Sequence, residues 1–157
     1  MKKIPNYALY GESAGPSWND LVHVEWMPDR SQALGGEIKA HHHDALMQLV
    51  YAQRGHGEVL IENHRQHFQA PCLILLPCRT VHAFNHGLET YGPVITAAQR
   101  PLESMIRIVA PELLVRLQRP VLIPLPAPMA GNESFWPVLM QLVMRWATAS
   151  LGTWLLL

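Results

Sequence analysis

Between residues 21 and 27 the apolar side chains of Val22, Val24 and Trp26 alternate with His23 and Glu25, the period of a strand with one face turned to a core. The same pattern runs on through residues 38–43 and 46–53, the latter closed by Arg54-Gly55-His56-Gly57, which reads as a hairpin turn. Residues 58–62 and 65–69 flank a polar turn at Asn63-His64 and predict a hairpin. Residues 72–76 are apolar throughout, as in a strand covered on both faces, and 80–84 and 93–98 complete the set. About eight short strands with turns every 8–12 residues predict a mainly β fold, a barrel or a double-sheet jelly roll. Ahead of them, residues 1–18 are broken by Pro5, Gly11, Gly15 and Pro16 and predict an extended arm.

The period changes after Arg100. Leu102, Met105, Ile106, Val109, Leu113, Leu114 and Leu117 make a helical stripe over 101–117, with Pro111 marking a break or a second start. A proline-punctuated linker follows over 120–128. Asn132 then serves as an N-cap for a helix over 133–150, whose apolar face carries Phe135, Val138, Leu139, Leu142, Val143 and Trp146 and is widened by Met140 and Met144. Such a face covers its own barrel or pairs with a second subunit, and its breadth favours a homodimer for at least part of it. The last residues, 151–157, are apolar to the end, so the natural chain is expected to continue past them. The expected organisation is thus an arm and barrel over 1–100, a helical dimerisation segment over 101–150, and an apolar tail.

At 157 residues with 49% hydrophobic content, the chain suits one domain with a sizeable core. Its 12 basic and 12 acidic residues cancel, and no basic stripe interrupts the balance, so binding to DNA by this chain alone is not expected. Cys72 and Cys78 lie in or beside an apolar strand and read as small buried thiols of a reducing cytoplasm rather than a disulfide. Neither a secretory leader nor a run of roughly 18 apolar residues is present, so the expectation is a cytoplasmic protein without a membrane span.

Chemistry concentrates in one frame. His41 and His43 stand two residues apart on one strand face, Gln48 follows after four residues, and His82 comes on a later strand. Three imidazoles and an amide oxygen suit a divalent transition metal, with zinc, nickel, iron and manganese the candidates. His42, between the two ligands, turns outward, and His56, His64 and His67 sit near turns as solvated residues. No Ser-His-Asp arrangement, phosphate-cradling loop or acid–base carboxylate pair is in frame.

The spacing Gly35, His41-x-His43, Gln48, Gly55, then Pro77-x-Arg79-x-x-His82, resembles the two motifs of the cupin barrel. Gln48 stands where that family usually has Glu, Arg79 where it has Gly, and His86 where it has Asn, the last read here as fixing a turn. The first departure removes one negative charge from the site, which weakens metal binding and disfavours an oxidation-active iron centre. The opening Ile4-Pro5-Asn6-Tyr7-Ala8-Leu9-Tyr10-Gly11-Glu12, with residues 21–25 and the His-x-His frame, further resembles the N-terminal sensor half of AraC-type transcription regulators, over about 4–148. The nearest group controls catabolism of para-hydroxybenzoate, para-hydroxyphenylacetate and related aromatic acids. That resemblance implies a cupin barrel that binds a small aromatic acid, helices that dimerise, and a DNA-binding domain absent from this chain.

An aromatic acid needs a cation or donor for its carboxylate and an apolar wall for its ring. Lys39, which shares strand parity with His41 and His43, and Arg79 are the candidate cations. Trp26, Phe84 and Val50 are the candidate wall. The rival reading is a small metal-dependent cupin enzyme, a dioxygenase or isomerase, using His41, His43, Gln48 and His82. A third is a barrel with neither ligand nor metal that serves only to dimerise.

Overall fold

Strands form where the alternation predicts them. The computed structural model describes residues 4–7, 22–31 and 34–126. In chain order these form β1 (Val22–Trp26), a single turn of helix α1 (Met27–Ser31), β2 (Glu37–His41), β3 (Leu46–Ala52), β4 (His56–Ile61) and β5 (His64–Gln69). There follow β6 (Cys72–Leu76), β7 (His82–His86), β8 (Pro93–Ala98), helix α2 (Gln99–Val109), a 3₁₀ turn (Pro111–Leu113), α3 (Leu114–Leu117) and β9 (Val121–Pro124). The expected helix over 133–150, with the dimerisation residues Phe135, Val138, Leu139, Leu142, Val143 and Trp146, lies outside the described residues.

Two antiparallel sheets are built, one in the order β1-β8-β3-β6-β9 and the other in the order β2-β7-β4-β5. β4 and β5 pair as a hairpin at the centre of the chain, and β3 pairs with β6, β2 with β7, and β1 with β8. The chain is thus one long hairpin rolled up so that successive pairs fall in alternate sheets, which is the jelly roll. It is the cupin-type barrel the resemblance implies. Between the sheets lie Val50, Ala52, Val59, Phe68, Ile74 and Phe84, all buried. On the outer face of the larger sheet, Met47, Leu75 and Ala97 are covered by Leu102 of α2 and Leu117 of α3. This second layer explains why β3 and β6 are apolar on both faces, where a strand with one wet face would alternate.

Four expectations shift. The hairpin turn falls at Glu62-Asn63, with His64 already in β5, and the strand expected over 80–84 runs from His82 to His86. Val121–Pro124 is a strand, not part of a linker: it pairs with β6, Leu122 opposite Ile74, and Leu122 packs on the core. Gly55-His56-Gly57 does not turn a hairpin but leads into β4, whose neighbours are β5 and β7. Cys72 is buried and Cys78 half-buried, and both thiols are free; burial pushes the Cys72 thiol up to about 11, which keeps it protonated and inert. Among the described residues no helix is long and apolar enough to cross a membrane.

Candidate metal centre

His41 ends β2 and His82 begins β7, and the two are direct partners across the antiparallel pair. His43 follows His41 in the loop to β3. Their ring centroids stand 4.2 Å (His41–His82), 5.1 Å (His41–His43) and 5.4 Å (His43–His82) apart. One ligand atom from each lies within 4.8 Å of the others. All three side chains are at most 2% exposed.

Each ring is oriented by the backbone. Nδ1 lies 2.8 Å from the Lys39 carbonyl in His41, 2.6 Å from the Tyr7 carbonyl in His43, and 2.9 Å from the Thr80 carbonyl in His82. A carbonyl only accepts, so each Nδ1–H donates, and the neutral ring keeps its lone pair on Nε2. Among the described residues, Nε2 of His43 and of His82 is buried without a hydrogen-bond partner. Two buried acceptors so placed cost about 1–3 kcal/mol each unless something occupies them. A divalent cation satisfies such lone pairs, and carbonyl-anchored imidazoles are the usual second shell of metal-binding histidines.

Electrostatics agree. Burial lowers His41 to about 4, the Lys39 carbonyl opposing the shift and His43 and His42 adding to it. Burial likewise lowers His43, against the Tyr7 carbonyl and the nearby Gln48 amide. His82 falls well below its ordinary range through burial and then the closeness of His41. At neutral pH all three are uncharged and free to donate to a metal. The donor set fits a borderline transition metal better than magnesium or calcium, which prefer oxygen.

Gln48, on the inner face of β3, is 6% exposed and its Nε2 donates to Thr96 Oγ1 at 3.2 Å. With Nε2 engaged, Oε1 is the atom left to serve as the fourth donor. Sequence reasoning missed the arm's part in the site. Tyr7 N–H donates to the His42 carbonyl (3.0 Å) and His42 N–H to the Pro5 carbonyl (3.1 Å), while Asn6 and Asp44 exchange hydrogen bonds of 2.8 and 3.1 Å. This short bridge holds the loop bearing His43 and supplies the carbonyl that orients its ring. A backbone carbonyl leaves no mark in a sequence, so the arm's alternation-free residues gave no sign of it.

Trp26, Val50 and Phe84 line a cavity together with His41, Gln48 and His86, and neither Lys39 nor Arg79 is among its lining residues. Lys39 is exposed on the outer side of β2, because a bulge between Ile38 and His41 breaks the alternation on which its inward parity was based. Ile38 takes the inward place and packs on the core. Arg79 is also exposed, and its role lies in its backbone: with φ of 66° it makes the turn into the second motif, and its N–H donates to the His43 carbonyl at 2.7 Å. This is the position where the cupin motif has Gly, and a left-handed conformation costs a residue with a Cβ about 1–2 kcal/mol. Arg79→Gly is therefore expected to leave metal binding intact and raise stability by up to about 1 kcal/mol, read from urea melts.

No protein-family model matches the sequence, and no curated protein matches it. Among solved structures the chain is similar to a cupin protein from Bacteroides fragilis, at 12% identity and a TM-score of 0.37, over 50% of this chain and 64% of that one. It is also similar to ToxT from Vibrio cholerae, at 11% identity and a TM-score of 0.42, over 78% of this chain and 46% of that one. The matched regions span less than two thirds of either structure's length. The barrel assignment rests on the strand order and register, which define the jelly roll without them.

Proposed function

We propose that this chain is the sensor domain of an AraC-type regulator, a cupin barrel that holds a divalent metal on His41, His43, His82 and Gln48 and binds a small aromatic acid beside it. The observation that carries the metal is the convergence of three buried, carbonyl-oriented imidazoles, two of them with orphaned Nε2 atoms. Among the described residues no carboxylate joins the three imidazoles, which favours zinc or nickel over iron and a structural or ligand-holding metal over oxidation chemistry. When bound, the ion would act as a Lewis acid toward an anionic group of the effector. Residues 135–146 would join two copies, and the response to effector would come from its unequal affinity for two arrangements of the domain.

The cavity of about 30 Å³ has room for about two waters, so an aromatic ring requires its wall to open. Isothermal titration of the zinc-loaded chain with para-hydroxybenzoate and para-hydroxyphenylacetate is expected to show saturable binding, with the acid recovered unchanged. Sedimentation is expected to show a dimer that Leu139→Asp dissociates. Failure of every hydroxylated aromatic acid to bind would remove the sensor reading. One feature favours the enzyme as a second reading: three imidazoles leave coordination positions open, as in catalytic zinc sites. Consumption of the acid, dependent on His82, would decide for it.

A further inference from the structure

Among the described residues that line the cavity, His86 is the buried polar group that the metal site does not use. It is 5% exposed, lines the cavity, and stands outside the His41, His43 and His82 cluster. Its Nδ1 lies 3.0 Å from the Gly87 carbonyl, so Nδ1–H donates there and Nε2 is the ring nitrogen left unpaired. That Nε2 is buried and has no hydrogen-bond partner among the described residues.

Glycines on both sides let the backbone of β7 come close at His86. Gly57 of β4 is the direct partner of His86 across the sheet, and a Cβ at Gly57 would come within 2.6 Å of the His86 Cβ. On the other side the His86 N–H donates to the Gly36 carbonyl at 3.1 Å, and a Cβ at Gly36 would strike the His86 carbonyl. Along β7, His82, Phe84 and His86 share the inward face at every second residue, and all three are buried. His86 therefore lies about 13 Å along the strand from the metal ligand His82, with the Phe84 ring between. The rest of the lining includes Trp26 and Val50, one acidic side chain, Glu25, and no Lys or Arg among the described residues.

From this arrangement we infer that His86 Nε2 is the anchor for a hydroxyl group, so that the cavity selects ligands with an apolar body and a hydrogen-bond donor at the end away from the metal. With Nδ1–H held by the Gly87 carbonyl, Nε2 is the ring atom open to a donor. Among the described residues the lining offers a carboxylate neither Lys nor Arg, and it includes Glu25. The inference deepens the sensor reading by assigning polarity to the ligand's two ends, the hydroxyl on His86 and any acidic group toward the metal.

The test uses phenol and toluene, which are close in shape and differ in the donor, and neither probe carries an acid. On the full chain, phenol is expected to bind at least about tenfold more tightly than toluene, the size of one well-made hydrogen bond. Long-range ¹⁵N NMR is expected to show the His86 Nε2 signal moving with phenol and not with toluene. His86→Phe should abolish the preference, and His86→Gln, which retains an acceptor, should keep part of it, which controls for a folding defect in the first variant. Equal affinity for the two probes, a preference that survives in His86→Phe, or binding of neither probe overturns the inference. A positive phenol result in a chain that ignores para-hydroxybenzoate would leave the His86 anchor standing and remove the aromatic-acid sensor.

Discussion

In the His82→Leu variant, divalent-metal binding is expected to disappear while the stability of the metal-free protein changes by no more than about 1–2 kcal/mol. Both halves of this result follow from the surroundings of one ring. His82 is 1% exposed, its Nε2 has no partner, and burial holds its ring uncharged. Leucine removes the unpartnered Nε2 but also the Nδ1–H bond to the Thr80 carbonyl, and these two effects, each of about 1–3 kcal/mol, oppose one another. A histidine that served only to bond the Thr80 carbonyl would lose stability on replacement and leave metal binding unchanged. Removal of a ligand should cost more metal affinity than the roughly 10–100-fold typical of losing an outer-shell partner. Zinc titration followed by calorimetry, paired with urea melts in chelator, reads both halves.

The metal-free chain should also be acid-labile over a defined window. His41 has a folded value of about 4 against an ordinary 6.5, and His43 and His82 are displaced in the same direction by burial. Between these limits the unfolded chain binds protons that the folded chain refuses, so unfolding becomes easier as pH falls. Stability from these residues is fully present above about pH 6.5 and is lost progressively as pH falls, for His41 down to about pH 4, and His41 alone accounts for about 3 kcal/mol. Below its folded value His41 contributes no further change. Urea melts of chelator-treated protein between pH 7.5 and 4 test this, and His41→Leu should flatten the slope. A slope identical in that variant would contradict the assignment. Bound metal should steepen the fall, because protons and the ion compete for the same lone pairs.

Much of the barrel was legible because strand alternation and turn residues are local. Val22, Val24 and Trp26, or the all-apolar Cys72–Leu76, declare strands within a few residues. The His-x-His pair was legible for the same reason, and partnership of His41 with His82 followed from bringing β2 beside β7. What escaped depends on distant partners. Val121–Pro124 looks like a linker between prolines until the free edge of β6 is seen to need a neighbour. Lys39 was placed inward by counting residues along β2, and the count fails at a bulge that no residue type there announces. Arg79 looked like a cation for a ligand, yet its turn uses its backbone. His86 looked like a turn residue because the space it occupies is made by Gly57, on another strand.

The central claim is that His41, His43 and His82 converge to hold one metal ion. Native mass spectrometry of the full chain, stripped with chelator and then offered one equivalent of zinc in volatile buffer at pH 7.5, tests it most directly. The account predicts one tightly held ion per chain in the wild-type protein and none in His82→Leu. A wild-type chain that stays metal-free, or a variant that binds zinc as well as the wild type does, would contradict it.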